Sequence, residues 1–70
     1  MTTVEVEPLL EDMDGNPELC DPGQAKLWGV YTRTPDPDGD CLAVWISDHR
    51  SEFSAELAAA RLRLVLGVAP

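Results

Sequence analysis

Positive charge is scarce in this sequence. Five Lys and Arg stand against thirteen Asp and Glu in 70 residues, for a net charge of −8. A chain so acidic is repelled by a phosphate backbone instead of releasing its counterions, which argues against direct nucleic-acid binding. Cysteine is limited to Cys20 and Cys41 and histidine to His49, short of the four ligands of a structural zinc site. No run approaches the roughly 18 apolar residues of a membrane span, so no membrane partner is expected. Residues 1–7 carry acids where a signal peptide needs cations and an apolar core. The expectation is a cytoplasmic protein with reduced thiols, although a Cys20–Cys41 bridge would close a loop with about 3 kcal/mol of chain-entropy stabilisation.

A domain this short buries a limited share of its surface, and its core is marginal without a metal, a disulfide or a partner. The acids are also unevenly placed. Glu5, Glu7, Glu11, Asp12, Asp14, Glu18 and Asp21 occupy residues 1–25 with no base, whereas residues 26–70 are almost balanced. The chain therefore divides into an acidic N-terminal segment, 1–25, and a hairpin-helix domain, 26–70. In the first, Val4 and Val6 alternate with polar neighbours up to Pro8, which fits an edge strand. Acids, prolines and glycines fit a mobile arm equally well. Asp14-Gly15-Asn16-Pro17 and Asp21-Pro22-Gly23 are turn chemistry.

Lys26–Thr34 and Cys41–Asp48 are rich in β-branched and aromatic residues and are separated by Pro35-Asp-Pro-Asp-Gly-Asp40, the pattern of a β-hairpin. Alternation puts Leu42, Val44 and Ile46 on one face of the second strand and Cys41, Ala43, Trp45 and Ser47 on the other. Trp28, Val30 and Thr32 likewise oppose Leu27, Gly29 and Tyr31. Neither face is polar, so both sides of the sheet want cover. Ser51–Leu66 reads as a helix, with Ser51 or Ser54 to cap it, Glu52 and Glu56 near its start, Arg61 and Arg63 toward its end, and Gly67 and Pro70 to stop it. The fold class is α+β: a small antiparallel hairpin, with or without a third N-terminal strand, packed on one C-terminal helix, ββα or βββα.

At about 100° per residue, Phe53, Leu57, Ala60 and Leu64 form one stripe, the expected contact to the sheet. Ala55, Ala58, Ala59, Leu62, Val65 and Leu66 lie opposite, and an apolar outer side of this kind predicts self-association. Fully burying Leu62, Val65 and Leu66 between copies would contribute on the order of 5 kcal/mol before association costs. With Tyr31 and Trp45, aromatics on the hairpin suited to anchor a partner, these six residues are the predicted interface.

Catalytic and metal chemistry find little support. Asp12-Met-Asp-Gly-Asn16 and Asp36-Pro-Asp-Gly-Asp40 begin like the calcium loop of the EF-hand, but its glycine at position 6 is replaced by Pro17 and Cys41 and its glutamate at position 12 by Gly23 and Ser47. Asp-Gly pairs form turns first. His49, between Asp48 and Arg50, has no nucleophile or orienting acid at a recognisable spacing. No metal, cofactor or enzymatic activity is assigned. The order Trp28-Gly-Val-Tyr31, Val44-Trp-Ile46, Ser54-Ala-Glu-Leu-Ala-Ala-Ala60 resembles the hairpin-plus-helix pattern of many small bacterial and phage proteins, from which no activity follows. The expected function is a protein-protein interaction module or regulator that acts by binding, as a homodimer and toward a basic protein surface. The alternative is an inhibitor of anti-restriction or anti-defence type that mimics nucleic-acid charge.

Overall fold

Two loops built on the same chemistry fix the sheet. The computed structural model describes residues 2–68. In the first loop, Asp12 N–H donates to the Asn16 carbonyl at 2.8 Å and Gly15 N–H to the Asp12 carbonyl at 3.0 Å. The Asp12 carboxylate accepts from the N–H groups of Asp14 and Asn16. The second loop repeats this around Asp36, which bonds the Asp40 carbonyl at 2.7 Å and accepts from Asp38 N–H at 2.9 Å. Gly15 and Gly39 hold φ of 81° and 94°, the left-handed region where a Cβ is penalised. The leading aspartates of both calcium-like stretches thus bind their own loop backbone, the local turn chemistry of Asp.

The strands these loops join are β1 (Thr3–Glu11), β2 (Pro17–Leu19), β3 (Leu27–Pro35) and β4 (Cys41–His49), followed by one helix, α1 (Glu52–Leu66). All pairings are antiparallel and the strand order is β2-β1-β3-β4. A single 3₁₀ turn, Pro22–Gln24, leads from β2 to β3. The fold is α+β, with the hairpin and the C-terminal helix in place.

The N-terminal segment forms the additional strand that one reading of it allowed, but not at the edge. β1 pairs with β3 from Thr3 to Leu9 and with β2 from Leu9 to Glu11, so it is an interior strand of the sheet, neither a mobile arm nor an edge. Pro8 does not stop it. The Pro8 carbonyl accepts from Cys20 N–H, on the side away from β3, and a strand residue directs its N–H and C=O the same way. The donor that proline lacks is therefore not one the β1–β3 ladder needs.

Ser51 caps α1, its Oγ accepting from Ser54 N–H at 3.1 Å. Gly67, with φ 71°, closes the helix, its N–H donating to the Leu64 carbonyl at 3.3 Å and the Val68 N–H to the Arg63 carbonyl at 3.0 Å. This is the double bond pattern of a Schellman stop. Pro70, expected to enforce that stop, lies outside the described residues. The helix is held to the sheet on both flanks. Near its start Ser54 Oγ meets His49 Nδ1 on β4 at 3.0 Å, and near its end Arg63 Nη2 donates to the Val4 carbonyl on β1 at 2.8 Å.

The core lies between α1 and the central strands: Val4, Val30, Ala55 and Ala59 are buried, with Val6, Trp28, Ala58, Leu62 and Val68 packed around them. This corrects the phase of the helix. Ala55 and Ala59, expected on an outer interface, have no exposed surface, while Phe53 and Leu64, expected against the sheet, are 78% and 83% exposed. The reason is steric: the sheet already presents Val4, Val6, Val30 and Trp28, and alanines let the helix come down onto them without overfilling the space. The short connection from His49 to Ser51 adds to this by turning Ser54 toward β4.

A second correction concerns β4. Val30 pairs with Ser47 and Tyr31 with Trp45, so Ile46 opposes no residue and forms a bulge. One extra residue reverses the alternation beyond it. Ser47 consequently lies on the helix face with Leu42 and Val44, not with Trp45.

Candidate functional site

Of the residues predicted to form an interface, the fold withdraws some and leaves others. Ala55 and Ala59 belong to the core, and Ala58 and Leu62 pack against it. Val65 and Leu66 are exposed. Tyr31 and Trp45 are cross-strand partners on the face of the sheet opposite α1. The exposed large apolar side chains include the outer ridge of the helix, Phe53, Leu57 and Leu64, Met13 and Leu19 in the β1–β2 hairpin, and β4, where Leu42, Val44, Trp45 and Ile46 are all exposed.

The face without a helix has its own small cluster. Leu9 is buried there, and a Cβ placed on Gly29 would lie 2.8 Å from Leu9 Cδ1 and 2.8 Å from Tyr31 Cε2. Glycine is thus required for close approach, because the Tyr31 ring and Leu9 occupy the space a side chain would take. Around them, Arg33 Nε contacts Glu5 Oε2 at 2.8 Å, and the Trp45 indole N–H donates to Asp48 Oδ1 at 3.0 Å. The ion pair is half exposed and contributes little to stability.

Burial, followed by the charges of Asp48 and Glu7, raises the Tyr31 phenol above its ordinary 10.0. The folded state favours the neutral ring, so this contribution is fully present below pH 10.0 and is lost as pH rises through the higher folded value. Phenolate absorbance of the native protein should titrate above 10.0, return to the ordinary range in urea, and shift down in Asp48→Asn. A native midpoint unchanged by that substitution would remove Asp48 from the environment of the ring.

His49 is half-buried between two hydroxyls, with Nε2 2.8 Å from Ser47 Oγ and Nδ1 3.0 Å from Ser54 Oγ. The bulge makes this possible by turning Ser47 and His49 to the helix side. Nδ1 thereby ties β4 to α1 while Nε2 is engaged within β4, and neither is directed at a carboxylate that would orient the imidazole for base catalysis. An open cleft of about 420 Å³ lies among Glu11, Lys26, Leu27 and Arg50 at the same end of the sheet. Among the described residues no three His, Cys, Asp or Glu gather as metal ligands. None of the described helices is long and apolar enough to cross a membrane.

The two cysteines stand on opposite flanks. Cys20 follows β2 and Cys41 begins β4, three strand spacings away, or about 14 Å, whereas a disulfide needs Cα atoms within about 7 Å. Both are free. No signal in the sequence marked the Ile46 bulge, the stacking of Tyr31 over Gly29 or the Ser47–His49–Ser54 chain, because each depends on register. Comparison with models of protein families, with curated proteins and with solved structures finds no match.

Proposed function

We propose that this chain is a protein-protein interaction module that acts by binding, as a homodimer. The observation that carries the reading is the exposure of β4: from Cys41 to Ser47 it bears no charge, and four of its large apolar side chains face solvent. A monomer has little reason to leave such a strand open, since natural edge strands are blunted by charge, proline or brevity. Among the described residues only five hydrophobic ones are buried, so association would also add core to a domain that is short of it.

The charge-mimic alternative draws less support from the fold. Thr3 pairs with Arg33 and Leu9 with Leu27, so the Asp12–Asp14 and Asp36–Asp40 loops sit at opposite ends of strands about 30 Å long. Their acids are separated instead of lining one strip.

Mass in solution against concentration tests the proposal. Sedimentation or light scattering should show a reversible rise from 7.6 kDa toward twice that value. A protein that stays monomeric at high micromolar concentration would end the homodimer reading. Leu62→Glu is unsuitable as a probe because Leu62 packs on the core.

A further inference from the structure

We infer that the contact strand is β4 itself: two copies of Cys41–Trp45 run antiparallel, edge to edge, about a two-fold axis at Ala43, joining the sheets into one of eight strands with both helices on the same side. This rests on the homodimer reading above and assigns its surface.

Backbone direction supplies the first argument. On β1 the carbonyls of Val4 and Pro8 point away from β3, to Arg63 and to Cys20. Since direction alternates along a strand, Thr3, Glu5 and Glu7 exchange hydrogen bonds with Arg33, Tyr31 and Gly29, and the Leu9 carbonyl, on the same side, accepts from Lys26 N–H. Thr32 and Thr34 therefore turn to Val44 and Leu42. Ala43 and Trp45 are left with their N–H and C=O directed outward, where the sheet has no further strand. They are the groups a fifth strand would bond.

The bulge at Ile46 limits the regular part of this edge to Cys41–Trp45, and its middle residue is Ala43. Self-pairing there sets Leu42 opposite Val44 of the second copy on the helix face and Cys41 opposite Trp45 on the other. The small Ala43 faces itself. Apolar side chains then meet apolar side chains at each position, which is the self-complementarity a two-fold interface requires.

Area gives the second argument. Leu42, Val44, Trp45 and Ile46 are 62%, 44%, 58% and 48% exposed. Together they offer roughly 450 Å², over half of the about 800 Å² that each partner of a stable interface buries. Cys41 and Ala43 add to it, as does Val65, on the flank of α1 that Ser54 turns toward β4. Charge is the third argument. In a chain of net charge −8 the uncharged β4 edge is where a second copy is repelled least.

Ala43→Pro tests the ladder. Its missing N–H is one directed outward, so the hairpin is retained, and circular dichroism should match wild type. Losing the intermolecular bonds should weaken dimerisation about 100-fold or more. Independently, Ala43→Cys in a Cys20→Ser, Cys41→Ser background should oxidise to a covalent dimer, because facing residues of a hydrogen-bonded pair lie about 5.5 Å apart. Ser47→Cys in the same background, far from its own copy in this register, should not. If the dimer survives Ala43→Pro unchanged but is abolished by Leu57→Glu, or if Ala43→Cys fails to cross-link while wild type is dimeric, the β4 assignment is overturned and the homodimer stands. A monomeric wild type overturns both.

Discussion

Ala59→Glu is expected to unfold the protein at 25 °C, with loss of the native circular dichroism spectrum, whereas Leu64→Glu on the same helix should leave stability within about 0.5 kcal/mol of wild type. Ala59 is completely buried against Val4 and Val30, where a longer acidic side chain would overfill the contact and lose its hydration, and Arg63, one turn on, is already bonded to the Val4 carbonyl. Burying an unpaired ionised or protonated acid costs several kcal/mol, and a domain of this size has about 5 kcal/mol of stability in all. Leu64, 83% exposed, changes only its contact with water. The opposite outcome, with Leu64→Glu disruptive and Ala59→Glu tolerated, would mean that the helix presents its other stripe to the sheet.

Leu9→Ala is expected to cost about 2–4 kcal/mol in urea denaturation at fixed protein concentration. Leu9 is among the largest fully buried side chains of the described residues, and it lies on the face that α1 does not cover, so its loss empties a well-shielded spot there. Gly29→Ala should cost about 1–3 kcal/mol by the opposite route, overfilling, since the new Cβ meets Leu9 and Tyr31. The double variant should be less destabilised than the two costs together by about 1 kcal/mol, because truncating Leu9 vacates half of the space the alanine needs. Strict additivity would show that the two residues do not share this space.

Much of the architecture could be read from residue types that act locally. Hairpin limits followed from β-branched residues bounded by Asp-Gly, and the helix from Ser51 and Gly67, whose capping roles depend on near neighbours alone. The phase of α1 could not be read, because its two stripes are nearly equal in apolarity. What decides between them is the bulk of Val6, Val30 and Trp28 on a sheet formed by distant parts of the chain. Pro8 misled for a related reason: it stops a strand only when its nitrogen faces a ladder, and the sequence does not say which way that nitrogen faces. The same limit applied to the interface. Tyr31 and Trp45 were recognisable as hairpin aromatics, but the bulge that leaves Trp45 exposed and turns Ser47 inward is a matter of register.

The bond from Arg63 to the Val4 carbonyl ties almost the last turn of the helix to the beginning of the first strand, and the core repeats that closure with Val4 against Ala59. Long-range closure of this sort is slow, since chain entropy must be lost before the contacts that offset it can form. During synthesis β1 emerges before β3 and α1 and at first has neither to meet. Folding of this domain therefore waits for α1 to leave the ribosome, and until then both edges of every strand are accessible to any strand nearby, including one on a neighbouring nascent copy. A kinetic consequence follows for expression: dilution and low temperature during production, which slow chance encounters between unfinished chains, should raise the yield of native protein more than they would for a helical bundle of the same length.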